Sequence, residues 1–176
     1  MDQKSFISRL IDNWPALRAE YVSNCSRPRS TFPIPDYTPE GTPLEEWRAT
    51  ALWWKARPWP VYQRWYPLTT ELVREGPTHR STGHLVLRPH SRTPCHTHSS
   101  PDWEGRVILQ LPLIIPPGDV GFCVGDRVLR WQEGQPLCFD ITQPHWGFNW
   151  SDQDRVLLVM DFDRELWRDA LEPYYQ

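Results

Sequence analysis

Two periodicities divide the chain. Over residues 3–12 the apolar positions Phe6, Ile7, Leu10 and Ile11 recur at helical spacing. Leu17 and Tyr21 do the same over residues 15–22, with Pro15 where a helix can begin. PLEEWRATALWWK (43–55) is predicted as another helix, closed by the RPWP that follows it. PLTTELVREG (67–76) is predicted as a short helix that starts at Pro67 and stops at Gly76. Between these segments SRPRSTFPIPDYTPEGTP (26–43) is too rich in proline for a regular helix, so it is either an arm ordered over the domain or a loose loop. From residue 82 the period becomes two. GHLVLR, RVILQLPLII, VGFCVG, RVLRW, PLCFD and RVLLVMDF are short runs of Val, Leu, Ile and Phe separated by Gly, Pro, Asp or Asn.

Close-spaced strands of this kind predict a sandwich or barrel, and DRELWRDALEPYY closes the chain as a helix. The expected organisation is one domain over residues 1–176. A helical, proline-rich arm (1–80) packs on a jelly-roll core (81–162), followed by a carboxy-terminal helix (163–176). The fold class is mainly β.

Composition narrows the function classes. A formal charge of -3 with scattered basic residues provides no field for nucleic acid. The longest apolar runs are about five to eight residues, short of the roughly 20 needed to cross a bilayer, so a membrane is not an expected partner. Four cysteines (Cys25, Cys95, Cys123, Cys138) with no CxxC pair and no leader sequence suggest a reduced, cytoplasmic protein. The 11 tryptophans suit a core or the wall of a cleft, and Trp54, Trp103 and Trp146 are candidates for the latter.

The chemistry-bearing residues are six histidines and one arginine. In PCHTHSS (94–100), an extended backbone would turn His96 and His98 to the same face, as two ligands of one metal. The alternative is a polar turn without a ligand role. His145 is the best third ligand, since a jelly roll brings sequence-distant strands together at its mouth. Arg155, on the last apolar strand, is costly to bury unless it meets an anion. That anion is either a metal-chelating acid or a carboxylate of this chain, Asp140 or Asp161.

WQEGQPLCFDITQPHWGFNWSDQDRVLLVMDF (131–162) resembles the aspartyl/asparaginyl beta-hydroxylase family in its W-x-x-G, its strand ending F-D, its histidine and asparagine, and an arginine ten residues after that histidine. LVLRPHSRTPCHTH, RVILQLPLIIPPG, WPALRAEY and YPLTTELV extend the resemblance over most of the chain. It implies a double-stranded beta-helix that holds Fe(II) and 2-oxoglutarate, uses O2, and hydroxylates a small-molecule or peptide substrate. By position, His96 and His145 match the iron histidines, and Arg155 matches the arginine that pairs with 2-oxoglutarate.

The chain departs from the family pattern at several positions. His98 stands where the family has Gly or Asp, which would give three histidines in place of two and a carboxylate. Asp102 or Glu104 could supply a carboxylate instead. Gln110 replaces a histidine that helps hold the cosubstrate, Leu85 replaces a polar residue on the preceding strand, and Ile108 occupies a site often filled by arginine. An uncharged amide is a weaker carboxylate partner than a charged donor. Two other readings stay open: a three-histidine iron dioxygenase that needs no 2-oxoglutarate, and a cupin-like module that binds metal without catalysis, because PHWGFN also satisfies H-x-x-x-N.

Overall fold

The computed structural model describes residues 2–27, 31–34, 44–76, 81–98 and 103–176. It begins with two helices, α1 (Gln3–Asp12) and α2 (Trp14–Asn24), the first capped by Asp2, whose carboxylate accepts from the Ser5 amide. Strands β1 (Phe32–Ile34), β2 (Leu44–Trp54) and β3 (Arg57–Pro58) follow, then helices α3 (Pro60–Trp65) and α4 (Pro67–Arg74). The remaining strands are β4 (Ser81–Leu87), β5 (Ser91–Arg92), β6 (Arg106–Ile114), β7 (Val120–Val124), β8 (Arg127–Leu129), β9 (Leu137–Phe139), β10 (His145–Asn149) and β11 (Arg155–Asp163). Helix α5 (Arg164–Leu171) ends the series, its first turn capped by Asp163.

All pairings between these strands are antiparallel. One sheet of seven strands has the order β1-β2-β4-β11-β6-β9 with β3 attached to β2, and a second of four has the order β5-β10-β7-β8. The chain is mainly β, a double-stranded beta-helix with helices on one side. The period of two explains the two cores. On the outer face of the large sheet, Val86, Val107, Leu109, Leu111, Leu158 and Met160 pack against Phe6, Leu10, Leu17 and Trp167 of the helices. On its inner face, Leu157, Val159, Ile108 and Phe139 meet Val120, Phe122 and Val124 of the small sheet. Burying each such side chain contributes about 1.5–3 kcal/mol. No helix among the described residues is long and apolar enough to cross a membrane, and the four cysteines form no disulfide.

Most predicted elements are present, but residues 44–54 correct the expectation of a helix. They form β2, between β1 and β4. Ala, Glu and Leu favour a helix locally, whereas Glu46, Trp47, Arg48, Ala49, Thr50 and Ala51 alternate polar and apolar, which matches a half-buried strand. Trp47, Ala49 and Ala51 are buried opposite Leu87, Leu85 and Gly83, so the amino-terminal part supplies strands to the large sheet. HWGFN is a strand that the run pattern did not mark. Most of the proline-rich segment lies outside the described residues, and its residues 32–34 form β1.

β2 carries a register shift between Ala51 and Trp53. There the Thr50 carbonyl approaches Gly83 so closely that a Cβ on Gly83 would lie 1.9 Å from it. Both groups are backbone, so neither can swing aside. Gly83→Ala is therefore expected to lower stability by about 3 kcal/mol, read as a reduced urea midpoint with an unchanged m-value.

Candidate metal centre

The segment after β5 runs beside β10. His96 and His145 form an antiparallel bridge, each amide donating to the other's carbonyl at 3.0 and 2.9 Å. Residues paired in this way carry their side chains on the same side of the ladder, close together. Two residues on, the His98 amide donates to the Ile141 carbonyl (2.9 Å), which keeps the backbone extended and turns the third imidazole to that side. The ring centroids are 4.3 Å apart for His96 and His145, 5.3 Å for His96 and His98, and 5.2 Å for the nearly parallel His98 and His145.

One nitrogen from each ring lies within 4.8 Å of the others. Metal–imidazole bonds are about 2.0–2.1 Å, so the three nitrogens would draw together to close on one ion. The Nδ1 of His96 faces the Pro94 carbonyl and that of His145 faces the Gln143 carbonyl, both at 2.8 Å. A carbonyl only accepts, so each Nδ1 carries the proton and each Nε2 keeps its lone pair, the form that binds a metal. Burial lowers the pKa of all three; His98 falls to about 3 and His145 to about 4, helped by repulsion from the neighbouring imidazoles. They are neutral donors at neutral pH. Trp47 packs on His96 and Trp103 on His98.

No carboxylate joins this group among the described residues. Glu104 is exposed, and Asp102 lies outside the described residues. The three rings open into a cleft walled by Trp47, Ala49, Leu85, Ile108, Phe122 and Trp131. Trp54 and Trp103 also line it. Trp146 does not: it sits on the outer face of the small sheet, against Phe148 and under Arg92. Its partners on the strand alternate with His145 and Gly147, so it points the other way.

Arg155 lies in the same cleft, 3% exposed, with a buried Nε that has no hydrogen-bond partner. Burial lowers its pKa to about 9, which leaves it cationic at neutral pH. The chain's own carboxylates are engaged elsewhere, Asp161 by Arg106 and Asp140 by Arg164. Opposite it is Gly147, where a Cβ would come within 3.7 Å of the guanidinium. Gln110 faces the cleft, but its Oε1 accepts from the Trp131 indole at 2.9 Å. Sequence reasoning assigned no site role to Trp131, Gly147 or Thr93; the hydroxyl and amide of Thr93 both bond to Gly147 and fix β10 beside the ligand segment.

The sequence model of the family described as aspartyl/asparaginyl beta-hydroxylase matches residues 11–165. An ornithine lipid ester-linked acyl 2-hydroxylase of Rhizobium tropici is 32% identical over 102 residues, which are 57% of this chain and 35% of that protein. The match thus spans about a third of the relative's length. Solved structures with some likeness include the plu4264 protein from Photorhabdus luminescens (TM-score 0.45, 14% identity, 74% of this chain and 86% of that one). Another is a cupin 2 conserved barrel domain protein from Salinispora arenicola CNS-205 (0.43, 13%, 75% and 95%).

One buried histidine stands outside the cluster. His84 turns to the outer face of the large sheet, fully buried between Tyr21 and Tyr66 at 4.9 and 4.6 Å, with neither ring nitrogen hydrogen-bonded. Desolvation lowers its pKa from 6.5 to about 3. The unfolded chain binds a proton there below about pH 6.5 and the folded chain does not, so its contribution is intact above that pH and is lost as pH falls toward 3. The cleft histidines shift the same way. In His84→Phe the slope of metal-free stability against pH between 6 and 4 is therefore expected to shrink by up to about 1.4 kcal/mol per pH unit, without vanishing.

Proposed function

Because this chain belongs to the aspartyl/asparaginyl beta-hydroxylase family, we propose that it is a non-haem Fe(II) oxygenase that hydroxylates a C–H bond of a small molecule or peptide with 2-oxoglutarate as cosubstrate. The observation that carries the reading is the convergence of three neutral imidazoles in an apolar cleft that also contains a buried, anion-seeking arginine. His96, His98 and His145 would hold the iron, and Arg155 would take a carboxylate of the keto acid. When bound, iron uses O2 to oxidise the keto acid to succinate and CO2 and the substrate C–H to C–OH.

The protein's own part is positioning and charge. The Pro94 and Gln143 carbonyls fix two ligand rings in the donor tautomer. With no carboxylate in the ligand set among the described residues, a divalent ion would keep its full charge, and Arg155 would add another in the same cleft. That field favours a dianionic chelate over a neutral ligand. Gly147 leaves room for it, and the tryptophan walls exclude water and suit an uncharged, apolar group at the reacting end.

A second reading rests on the all-imidazole set: a three-histidine dioxygenase whose organic substrate binds the metal directly and which needs no keto acid. Metal analysis of untagged protein, with oxygen uptake and succinate release, separates the two. The first predicts one equivalent of iron and succinate release that depends on 2-oxoglutarate; oxygen uptake without any keto acid favours the second. Retention of zinc with no oxygen uptake under any cosubstrate defeats both and leaves a metal-binding module. His98→Ala is expected to weaken iron binding by about a hundredfold. Gly147→Leu is expected to raise KM for 2-oxoglutarate by about a hundredfold while leaving iron binding and the far-UV spectrum unchanged.

A further inference from the structure

Arg155 is held in the cleft by an aromatic ring. Its guanidinium carbon lies 4.8 Å above the Trp131 ring centroid. The indole is 7% exposed and is held from two directions. Its other neighbour is Phe122 of the small sheet at 5.5 Å, and its N–H donates to the Oε1 of Gln110, itself 6% exposed, on β6 of the large sheet. An indole N–H only donates, so the amide of Gln110 must turn its oxygen to Trp131 and its NH2 group away.

We propose that Trp131 and Gln110 are positioning residues for Arg155: Gln110 sets the rotation of the indole, and the indole face holds the guanidinium so that its NH groups point into the cleft toward an incoming carboxylate. The arrangement answers a physical problem. A buried arginine side chain has several rotamers and here no anionic partner of its own among the described residues, so an unsupported guanidinium would leave the cleft for water. A π-face attracts the cation electrostatically without occupying the hydrogen-bonding edge that must meet the ligand. A carboxylate partner would hold the arginine equally well, but would compete with the cosubstrate for that edge. Gln110 thus acts on the anion site through Trp131.

This inference rests on Arg155 as the anion-binding group of the preceding reading, so its test has one arm that needs no keto acid. In nitrogen-15-labelled wild-type protein, the Arg155 Nε–H resonance is expected upfield from the ring current of Trp131. It should return to the ordinary position in Trp131→Leu and move measurably in Gln110→Leu, with resonances of residues outside the cleft unchanged. In the second arm, KM for 2-oxoglutarate is expected to rise about ten- to thirtyfold in Trp131→Leu. Smaller rises are expected in Gln110→Leu and Trp131→Phe, the latter keeping the π-face and losing the N–H. Because these two remove the same hydrogen bond, Gln110→Leu with Trp131→Phe should be no worse than the more severe single variant. In each case kcat at saturating 2-oxoglutarate should change less than KM.

An Arg155 resonance that does not respond to either residue overturns the proposal. So does an additive double variant, or an equal fall in kcat and kcat/KM. Shifted resonances in a protein that neither binds nor turns over 2-oxoglutarate leave the relay standing and defeat the choice of cosubstrate.

Discussion

The centre depends on one pair of backbone hydrogen bonds. The reciprocal bridge between His96 and His145 joins a short extended segment to β10 across about 50 residues of chain, and it fixes the separation and direction of two imidazoles together. A slip of one residue on either side would send one ring to the outer face of the small sheet, where Trp146 and Phe148 now lie. The neighbouring bonds hold the register: Thr93 to Gly147 on one side of the bridge, and His98 to Ile141 on the other. Asn149, fully buried, donates to the carbonyls of Leu87, Arg88 and Gln153, and so ties the end of β10 to the turn that delivers Arg155. The asparagine of H-x-x-x-N therefore has a structural role, which aligns the strand bearing the histidine with the strand bearing the arginine.

Much of this was legible because period and spacing survive without a structure. HTH declared two rings on one face, and the ten-residue step from His145 to Arg155 spans one β10–turn–β11 unit whose strands lie in different sheets and face the same cleft. β2 was not legible from helix propensity, because its fate is decided by β1 and β4 on either side; the alternation in EWRATA was the available signal. Trp131 and Gln110 were individually visible, but their bond joins residues 21 apart in sequence and depends on where the β8–β9 connection passes β6, which no local pattern encodes. Trp146 was misread because a tryptophan beside a ligand histidine looks like cleft wall, whereas adjacent residues on a strand face opposite ways.

The comparison between His84 and the cleft histidines separates burial from function. His84 and its neighbours in the cleft are all stripped of water and all held neutral. His84 meets two tyrosine rings under a layer of helices, and its nitrogens have no shared focus. The other three point their donor atoms at one volume, with backbone carbonyls selecting the tautomer. A depressed pKa therefore marks desolvation both on the outer face of the large sheet and in the cleft between the sheets, and only the convergence of lone pairs distinguishes a place where a cation can replace the lost water. By the same logic, Arg155 is conspicuous less for its burial than for a charge that the surrounding protein supports with a π-face and leaves without a hydrogen-bonded partner at Nε. An apolar cleft can hold such a charge only if a ligand completes it or the guanidinium stays partly hydrated, and the first alternative makes the cationic end of the cleft a site for an anion.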